Sequence, residues 1–129
     1  MGKRTIMIIE EDVLHMKVFS DVLENQVYTT LRARDGKVAM DIARLTIPDM
    51  IILDIRLPFT SVFDIIKQLK EFEHLKDIPV IAVAALDDET KKDEYLRQGI
   101  DVFLTKPISI PNFIKTVAGF FSRTLYAVQ

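Results

Sequence analysis

The chain alternates five short apolar blocks with five segments of helical periodicity, and this alternation restricts its fold more than any other feature. Three blocks, Thr5–Ile9, Met50–Leu53 and Val80–Ala84, are almost continuously apolar, which is typical of strands buried on both faces of a parallel sheet. Val27–Ala33 alternates in polarity and Val102–Leu104 is brief, so we expect both strands to be more exposed. Strict alternation of strand and helix predicts parallel strands joined by right-handed crossovers.

The helical segments carry start and stop signals. Asp12 and Ser109 are suited to cap the first and fifth helices, and Gly99 is suited to end the fourth in a left-handed conformation. Three consecutive acids, residues 87–89, are predicted to begin the fourth helix, where the helix dipole favours negative charge. The residues predicted to share the inward side of the first helix are Leu14, Val18, Val22 and Leu23.

A chain of 129 residues has the length of one domain. Its five strands predict an α/β fold, a doubly wound parallel sheet of the flavodoxin-like kind with strand order 2-1-3-4-5. That order places a topological switch point between the first and third strands. Ligands of such sheets bind beyond the carboxyl ends of the strands at this point.

Composition excludes several classes of function. The formal net charge of −2 and the pI near 5.7 argue against a nucleic-acid-binding protein, which usually carries a strong basic excess. The chain has no cysteine, which excludes disulfide scaffolds, thiol catalysis and thiolate metal sites. Its apolar runs are too short for a signal peptide or a membrane span, so we expect a soluble cytoplasmic protein.

Charged residues follow three of the predicted strands. Glu10 and Glu11 come directly after the first strand, Asp54 after the third and Lys106 after the fifth. An all-oxygen cluster favours a hard ion, and Mg²⁺ binds through one or two carboxylates together with phosphate oxygens. The pattern therefore predicts phosphoryl chemistry in which Asp54 is the nucleophile, the two glutamates hold Mg²⁺ and Lys106 faces the phosphoryl oxygens.

Four motifs, in this order and at this spacing, resemble the signature regions of response-regulator receiver domains, the CheY-like superfamily. They are Ile9–Asp12, Ile51–Pro58, Pro79–Ala85 and Phe103–Pro107. Two further stretches, Leu14–Lys17 and Lys106–Ser109, are most similar to the stand-alone, single-domain type of the DivK cell-cycle regulators. The resemblance covers residues 1–123 and leaves 124–129 as a short tail, too short for an output domain.

This resemblance implies a role for each matching residue. Asp54 matches the phosphoacceptor, and Lys106 matches the lysine of the site, placed there by a cis bond to Pro107. Glu10 and Glu11 match the acidic pair around Mg²⁺, and the backbone carbonyl of Arg56 matches a further metal ligand. The resemblance also implies that Asp54 itself is a metal ligand.

The pattern departs from the family at three positions. Glu11 stands where Asp is usual, and its extra methylene moves the carboxylate further into the site. Ala84 stands where a Thr or Ser hydroxyl usually contacts the phosphoryl group, a contact worth roughly 1.5–3 kcal/mol for a charged acceptor. Val62 replaces a usual Gly, and a positive φ there would strain a β-branched residue. In the family, the Thr or Ser hydroxyl and an aromatic residue together act as a conformational switch. Ala84 and Phe103 match these two positions, so the departures put normal switching in question.

The resemblance implies a single-domain response regulator of a phosphorelay, not a turnover enzyme. Its expected partners are a histidine kinase or histidine phosphotransfer protein and a downstream protein target, with no contact to nucleic acid or membrane. The alternative is a degenerate receiver that binds proteins without being phosphorylated. A flavodoxin-like FMN site and a dehalogenase-type phosphatase fit less well, because Glu10–Asp12 would repel a phosphate and Arg56 stands where a second acid is needed. His15 and His74 are expected to be exposed helix residues with no metal role.

Overall fold

The computed structural model describes residues 3–57 and 61–128, with the backbone alone at 87, 89 and 123–128. Pro58 of the second motif and Gln129 at the end of the predicted tail lie outside these residues. The strands are β1 (Thr5–Ile9), β2 (Thr29–Ala33), β3 (Met50–Asp54), β4 (Val80–Ala84) and β5 (Val102–Thr105). The helices are α1 (Val13–Asn25), α2 (Gly36–Leu45), α3 (Val62–Glu71), α4 (Lys92–Gln98) and α5 (Ile110–Val128), with a 3₁₀ helix at Leu86–Lys91.

The five strands form one parallel sheet in the order β2-β1-β3-β4-β5, which confirms the predicted topology. Every residue of β3 and β4 is buried, as are Ile6–Ile9 of β1. These are the three strands with nearly continuous apolar sequence, so the pattern that predicted strands covered on both faces is confirmed. Among the helices of the described ranges, none combines the length and hydropathy that crossing a membrane requires.

Side chains of the central strands alternate between two cores on opposite faces of the sheet. Ile51 and Leu53 of β3 lie in the core covered by α2, α3 and α4, whereas Ile52 lies in the core covered by α1 and α5. Phe113 of α5 is fully buried in the second core, where its ring lies 5.3 Å from that of Phe19. Both faces of the sheet are therefore covered, and its edges and strand ends remain available for a site.

The inward side of α1 matches the prediction only in part. Leu23 is buried and Val22 packs against the same core, as predicted, but Leu14 and Val18 are 73% and 48% exposed, and Phe19 and Ser20 are buried instead. The helix is apolar on two overlapping stripes, so spacing alone did not decide between them. The stripe that contains Phe19 faces the sheet because the Phe19 ring packs against Phe113.

Two element starts also differ from the sequence prediction. Strand β2 begins at Thr29 because Val27 belongs to the end of α1, with its N–H donating to the Glu24 carbonyl. Val27 has a φ of +70°, the left-handed conformation that closes a helix. The acids 87–89 lie in the 3₁₀ helix, and α4 begins one turn later at Lys92.

At two helix ends the backbone conformation favours glycine. Removing glycine at one end and introducing it at the other should therefore change the stability in opposite directions. Gly99, with a φ of +119°, closes α4 as predicted, and its N–H donates to the Leu96 carbonyl. We expect Gly99→Ala to lower the free energy of unfolding by about 1 kcal/mol, because a Cβ disfavours this conformation. Val27→Gly should raise it by about the same amount, since Val27 is 62% exposed and little packing is lost. Urea denaturation of both variants measures the two effects, and a destabilised Val27→Gly protein would contradict the argument.

Candidate functional site

Three strand ends bring Glu10, Asp54 and Lys106 together. The backbone ladder continues past the strands, since Glu10 N–H donates to the Ala33 carbonyl at 2.9 Å and Lys106 N–H to the Ala84 carbonyl at 2.7 Å. Asp54 is the last residue of β3 and is paired with Val83 of β4. The site residues are therefore positioned by the sheet itself, at the switch point that the strand order predicted.

Lys106 links the two buried carboxylates. Its Nζ donates to Asp54 Oδ2 at 3.0 Å and lies 3.6 Å from Glu10 Oε1. The Lys106–Pro107 peptide bond is cis, as the resemblance implied. The ammonium thus occupies the position from which it would neutralise negative charge on Asp54.

Asp54 is 6% exposed and its two oxygens have different partners. Oδ1 accepts a hydrogen bond from the Arg56 backbone N–H at 2.7 Å, while Oδ2 accepts from Lys106. The Arg56 side chain turns away, and its Nε donates to Asp88 Oδ2 at 2.9 Å. Asp54 is therefore held in one orientation at the opening of the site, with β3 beneath it.

Glu10 is 2% exposed and has a strongly perturbed acidity. Burial raises the pKa of its carboxyl from the ordinary 4.5 to about 8, and a hydrogen bond and charge repulsion from Asp54 add to the rise. Lys106 and the Asp12 N–H lower this pKa, but they do not offset the burial. Two carboxylates sharing one ammonium leave an excess of negative charge when both ionise, and oxygen donors suit a hard dication. The residues present thus fit Mg²⁺.

Glu11 does not join this cluster. It is exposed, and with Glu10, Lys17 and Arg32 it lines a cavity of about 380 Å³ beside β2. Its predicted role as a metal ligand stays a prediction, as does that of the Arg56 carbonyl.

His15 does join the cluster, which the sequence analysis did not predict. Its Nδ1 lies 3.2 Å from Glu10 Oε1 and 3.0 Å from Lys106 Nζ. Asp12 caps α1, and its side chain accepts from the His15 N–H, so the third residue after the cap stands over the end of β1. The position of His15 could have been inferred from the sequence, because the correctly predicted cap at Asp12 fixes the first turn of α1, which contains His15.

The two predicted switch residues lie in the core under α4. Ala84 is fully buried, and Phe103 is 8% exposed. The Phe103 ring stacks on Tyr95 at 5.9 Å, and Tyr95 stacks on Phe63 at 4.7 Å. The aromatic residue thus points inward, in a stack of three rings.

The strain predicted at Val62 is absent. Val62 is the first residue of α3 and is buried, and among residues 3–57 and 61–128 positive φ angles occur at Val27 and Gly99. A valine in a helical conformation needs no glycine-like backbone.

Comparisons with known proteins agree on one family. The family model for the response regulator receiver domain matches residues 6–118. The chain is 40% identical over 117 residues to the polar-differentiation response regulator DivK of Brucella ovis, covering 91% of this chain and 95% of DivK.

Solved structures show the same fold. A putative response regulator from Chloroflexus aurantiacus superposes with a TM-score of 0.88 at 22% identity, covering 94% of this chain and 99% of the other. The receiver domain of the sensor histidine kinase PA1611 from Pseudomonas aeruginosa, which has a magnesium ion coordinated in its active-site cleft, gives a TM-score of 0.80 at 22% identity, covering 89% and 94%.

Proposed function

Because the chain belongs to the response regulator receiver family, we propose that Asp54 accepts a phosphoryl group from a phosphohistidine of a histidine kinase or phosphotransfer protein. The chain then acts in the cytoplasm through contacts with a downstream protein. The observation that carries this proposal is the ion pair between Lys106 Nζ and Asp54 Oδ2, next to the buried Glu10.

The proposed transfer uses the groups of this site, a bound Mg²⁺ and a phosphohistidine donor. An Asp54 oxygen attacks the phosphorus, a P–O bond forms as the P–N bond breaks, and the imidazole of the donor leaves. Lys106 neutralises charge on the phosphoryl oxygens, and the Arg56 N–H holds the other Asp54 oxygen in place. Mg²⁺, held by Glu10 and Asp54, would supply further charge neutralisation. The chain is a phosphoacceptor in this scheme and not a turnover enzyme.

An apolar groove beside the site supports docking of the phosphohistidine-bearing partner. The groove has a volume of about 450 Å³ and is lined by His15 and Lys106 at one end and by apolar residues elsewhere. Leu86 on its rim is 68% exposed, and Leu14 on the adjoining helix is 73% exposed. A partner bound here would bring its histidine next to Asp54, as transfer requires.

Intact mass spectrometry tests the proposal directly. The protein is incubated with Mg²⁺ and acetyl phosphate and should gain the mass of one phosphoryl group. Borohydride reduction of the acyl phosphate, followed by peptide mapping, should convert Asp54 to homoserine. If neither acetyl phosphate nor phosphoramidate adds mass, and beryllofluoride with Mg²⁺ leaves the NMR spectrum unchanged, the phosphoacceptor function is wrong.

One observation favours the second candidate, a receiver that binds partners without phosphorylation. Ala84 offers no hydroxyl to a phosphoryl group, and Phe103 already lies buried against Tyr95. If Phe103 is already buried before phosphorylation, the surface near β5 and α4 has the same arrangement with and without a phosphoryl group. It would then bind its target in both the unphosphorylated and the phosphorylated protein. Equal affinity of the unmodified and the beryllofluoride-bound protein for a captured target would support this function over the first.

Restoring the hydroxyl should strengthen any response to phosphorylation. In Ala84→Thr we expect beryllofluoride to shift the amide resonances around Phe103 more than in the unmodified sequence, because the hydroxyl gains a charged acceptor. Ala84→Val is the matched control, since valine has the shape of threonine without the donor. Equal shifts in the two variants would show that the hydroxyl is not the missing element.

A further inference from the structure

The atoms around Lys106 Nζ already form a small cation site. Asp54 Oδ2 lies 3.0 Å from this nitrogen, His15 Nδ1 also 3.0 Å, and Glu10 Oε1 3.6 Å. One ligand atom from each of Glu10, His15 and Asp54 lies within 4.8 Å of the others. Three donors from three different segments of the chain thus surround one positive charge.

The donor set is not one of oxygen atoms alone. His15 Nδ1 lies 3.0 Å from the Lys106 ammonium and 3.2 Å from Glu10 Oε1. In the tautomer that carries its proton on Nε2, this nitrogen accepts from Lys106 and presents its lone pair to the centre of the cluster. The Asp12 side chain accepts from the backbone N–H of His15 at 3.0 Å and so fixes the helical turn that carries the ring. Both carboxylates are almost fully buried, whereas His15 is about half exposed and leaves a path from solvent.

We infer that Glu10, His15 and Asp54 form a mixed nitrogen and oxygen site that binds first-row transition-metal dications more tightly than Mg²⁺. This inference deepens the proposed function, on which it rests for the setting of the site. Metal binding is nevertheless measured without a phosphodonor, so either proposal can fail alone.

The metal class follows from ligand chemistry. Mg²⁺ gains little from imidazole and prefers oxygen ligands and water, whereas imidazole suits Zn²⁺, Ni²⁺ and Cu²⁺. For a given site with nitrogen and oxygen donors, affinity rises from Mn²⁺ through Co²⁺ and Ni²⁺ to Cu²⁺. Three protein donors leave the remaining positions to water, so an oxygen of a phosphoryl group could still enter.

The resident ammonium sets a condition on binding. Metal–ligand distances near 2.1 Å bring the three donors closer to one centre than the present distances around Nζ, so Lys106 must move away. Lys106 therefore competes with the metal for the same three atoms. Lys106→Met should raise the affinity for Ni²⁺, and this gain should be much smaller when His15 is also replaced.

Calorimetric titration of the untagged chain with NiCl₂ and, separately, MgCl₂ at one fixed pH tests the inference. His15→Gln should weaken Ni²⁺ binding by about tenfold or more, because the loss of a group that merely orients a metal ligand already costs about 10–100-fold, and should change Mg²⁺ binding less than about twofold. His74→Gln is the matched control, because His74 is the second of the two histidines, is exposed, and lies in a turn between α3 and β4, away from the residues of the cluster. This variant should bind both ions as the unmodified chain does.

NMR of the unmodified chain gives a second test that does not depend on the folding of any variant. Ni²⁺ should broaden the ring resonances of His15 before those of His74 in the unmodified chain, because the bound ion is paramagnetic. The inference is overturned if His15→Gln leaves Ni²⁺ affinity unchanged, if it weakens Mg²⁺ binding by the same factor, or if His74 is broadened first.

Discussion

Asp54→Asn is expected to abolish phosphorylation by acetyl phosphate completely, because an amide oxygen cannot form an acyl phosphate under these conditions. The amide keeps the size of the side chain, but its single oxygen can accept from only one of the two donors, Lys106 or the Arg56 N–H, because these bind different oxygens of Asp54. The substitution also removes a negative charge from the neighbourhood of Glu10, which offsets the lost hydrogen bond, so we expect the variant to stay folded. Intact mass spectrometry after incubation with Mg²⁺ and acetyl phosphate measures the result.

Asp12→Asn is the matched control for this substitution. Asp12 is a carboxylate two residues beyond Glu10, and asparagine caps helices about as well as aspartate. The control should gain the mass of one phosphoryl group at the rate of the unmodified protein. Phosphorylation of Asp54→Asn to the same extent would place the acceptor at another residue and contradict the proposed function.

Glu10 is expected to make the Mg²⁺-free protein markedly less stable as pH rises. Its pKa is about 8 when folded and about 4.5 in an unfolded chain, so the folded state binds the proton more tightly. The stabilisation is fully present below pH 4.5 and is lost as pH rises towards and through 8. The free energy of unfolding should therefore fall by roughly 4–5 kcal/mol across this range from Glu10 alone. Urea denaturation with EDTA at several pH values measures the slope.

Two glutamine variants isolate this effect from the other groups that titrate in the same range. Glu10→Gln cannot ionise, so its stability should decline less with pH and should exceed that of the unmodified protein at pH 8. Glu11→Gln changes an exposed carboxyl next to it and should keep the original slope. Parallel pH profiles for the unmodified protein and Glu10→Gln would show that the Glu10 proton is not linked to folding.

The sheet was predictable because its signal is hydrophobic and continuous. Thr5–Ile9 and Val80–Ala84 have the predicted bounds in the structure, and the strand order follows from alternation and handedness. The convergence of Glu10, Asp54 and Lys106 was predictable for the same reason, since carboxyl ends of parallel strands share one edge.

The features that the sequence did not predict depend on which of two possible faces of a helix packs against the sheet. Apolar spacing allowed two inward faces for α1, and the contact of Phe19 with Phe113 decided between them. The same orientation of the helix places His15 over the site. Side-chain direction in the first turn of a helix is set by such packing, which a single sequence does not contain.

The alternation of β3 side chains between two cores limits how this protein can change in length. Ile52 belongs to one core and Leu53 to the other, and Asp54 continues the same two-residue repeat. One residue inserted or deleted within β3 would exchange the contents of the two cores and turn Asp54 to the opposite face of the sheet. Point substitutions can thus retune the site step by step, while insertions and deletions are confined to the loops.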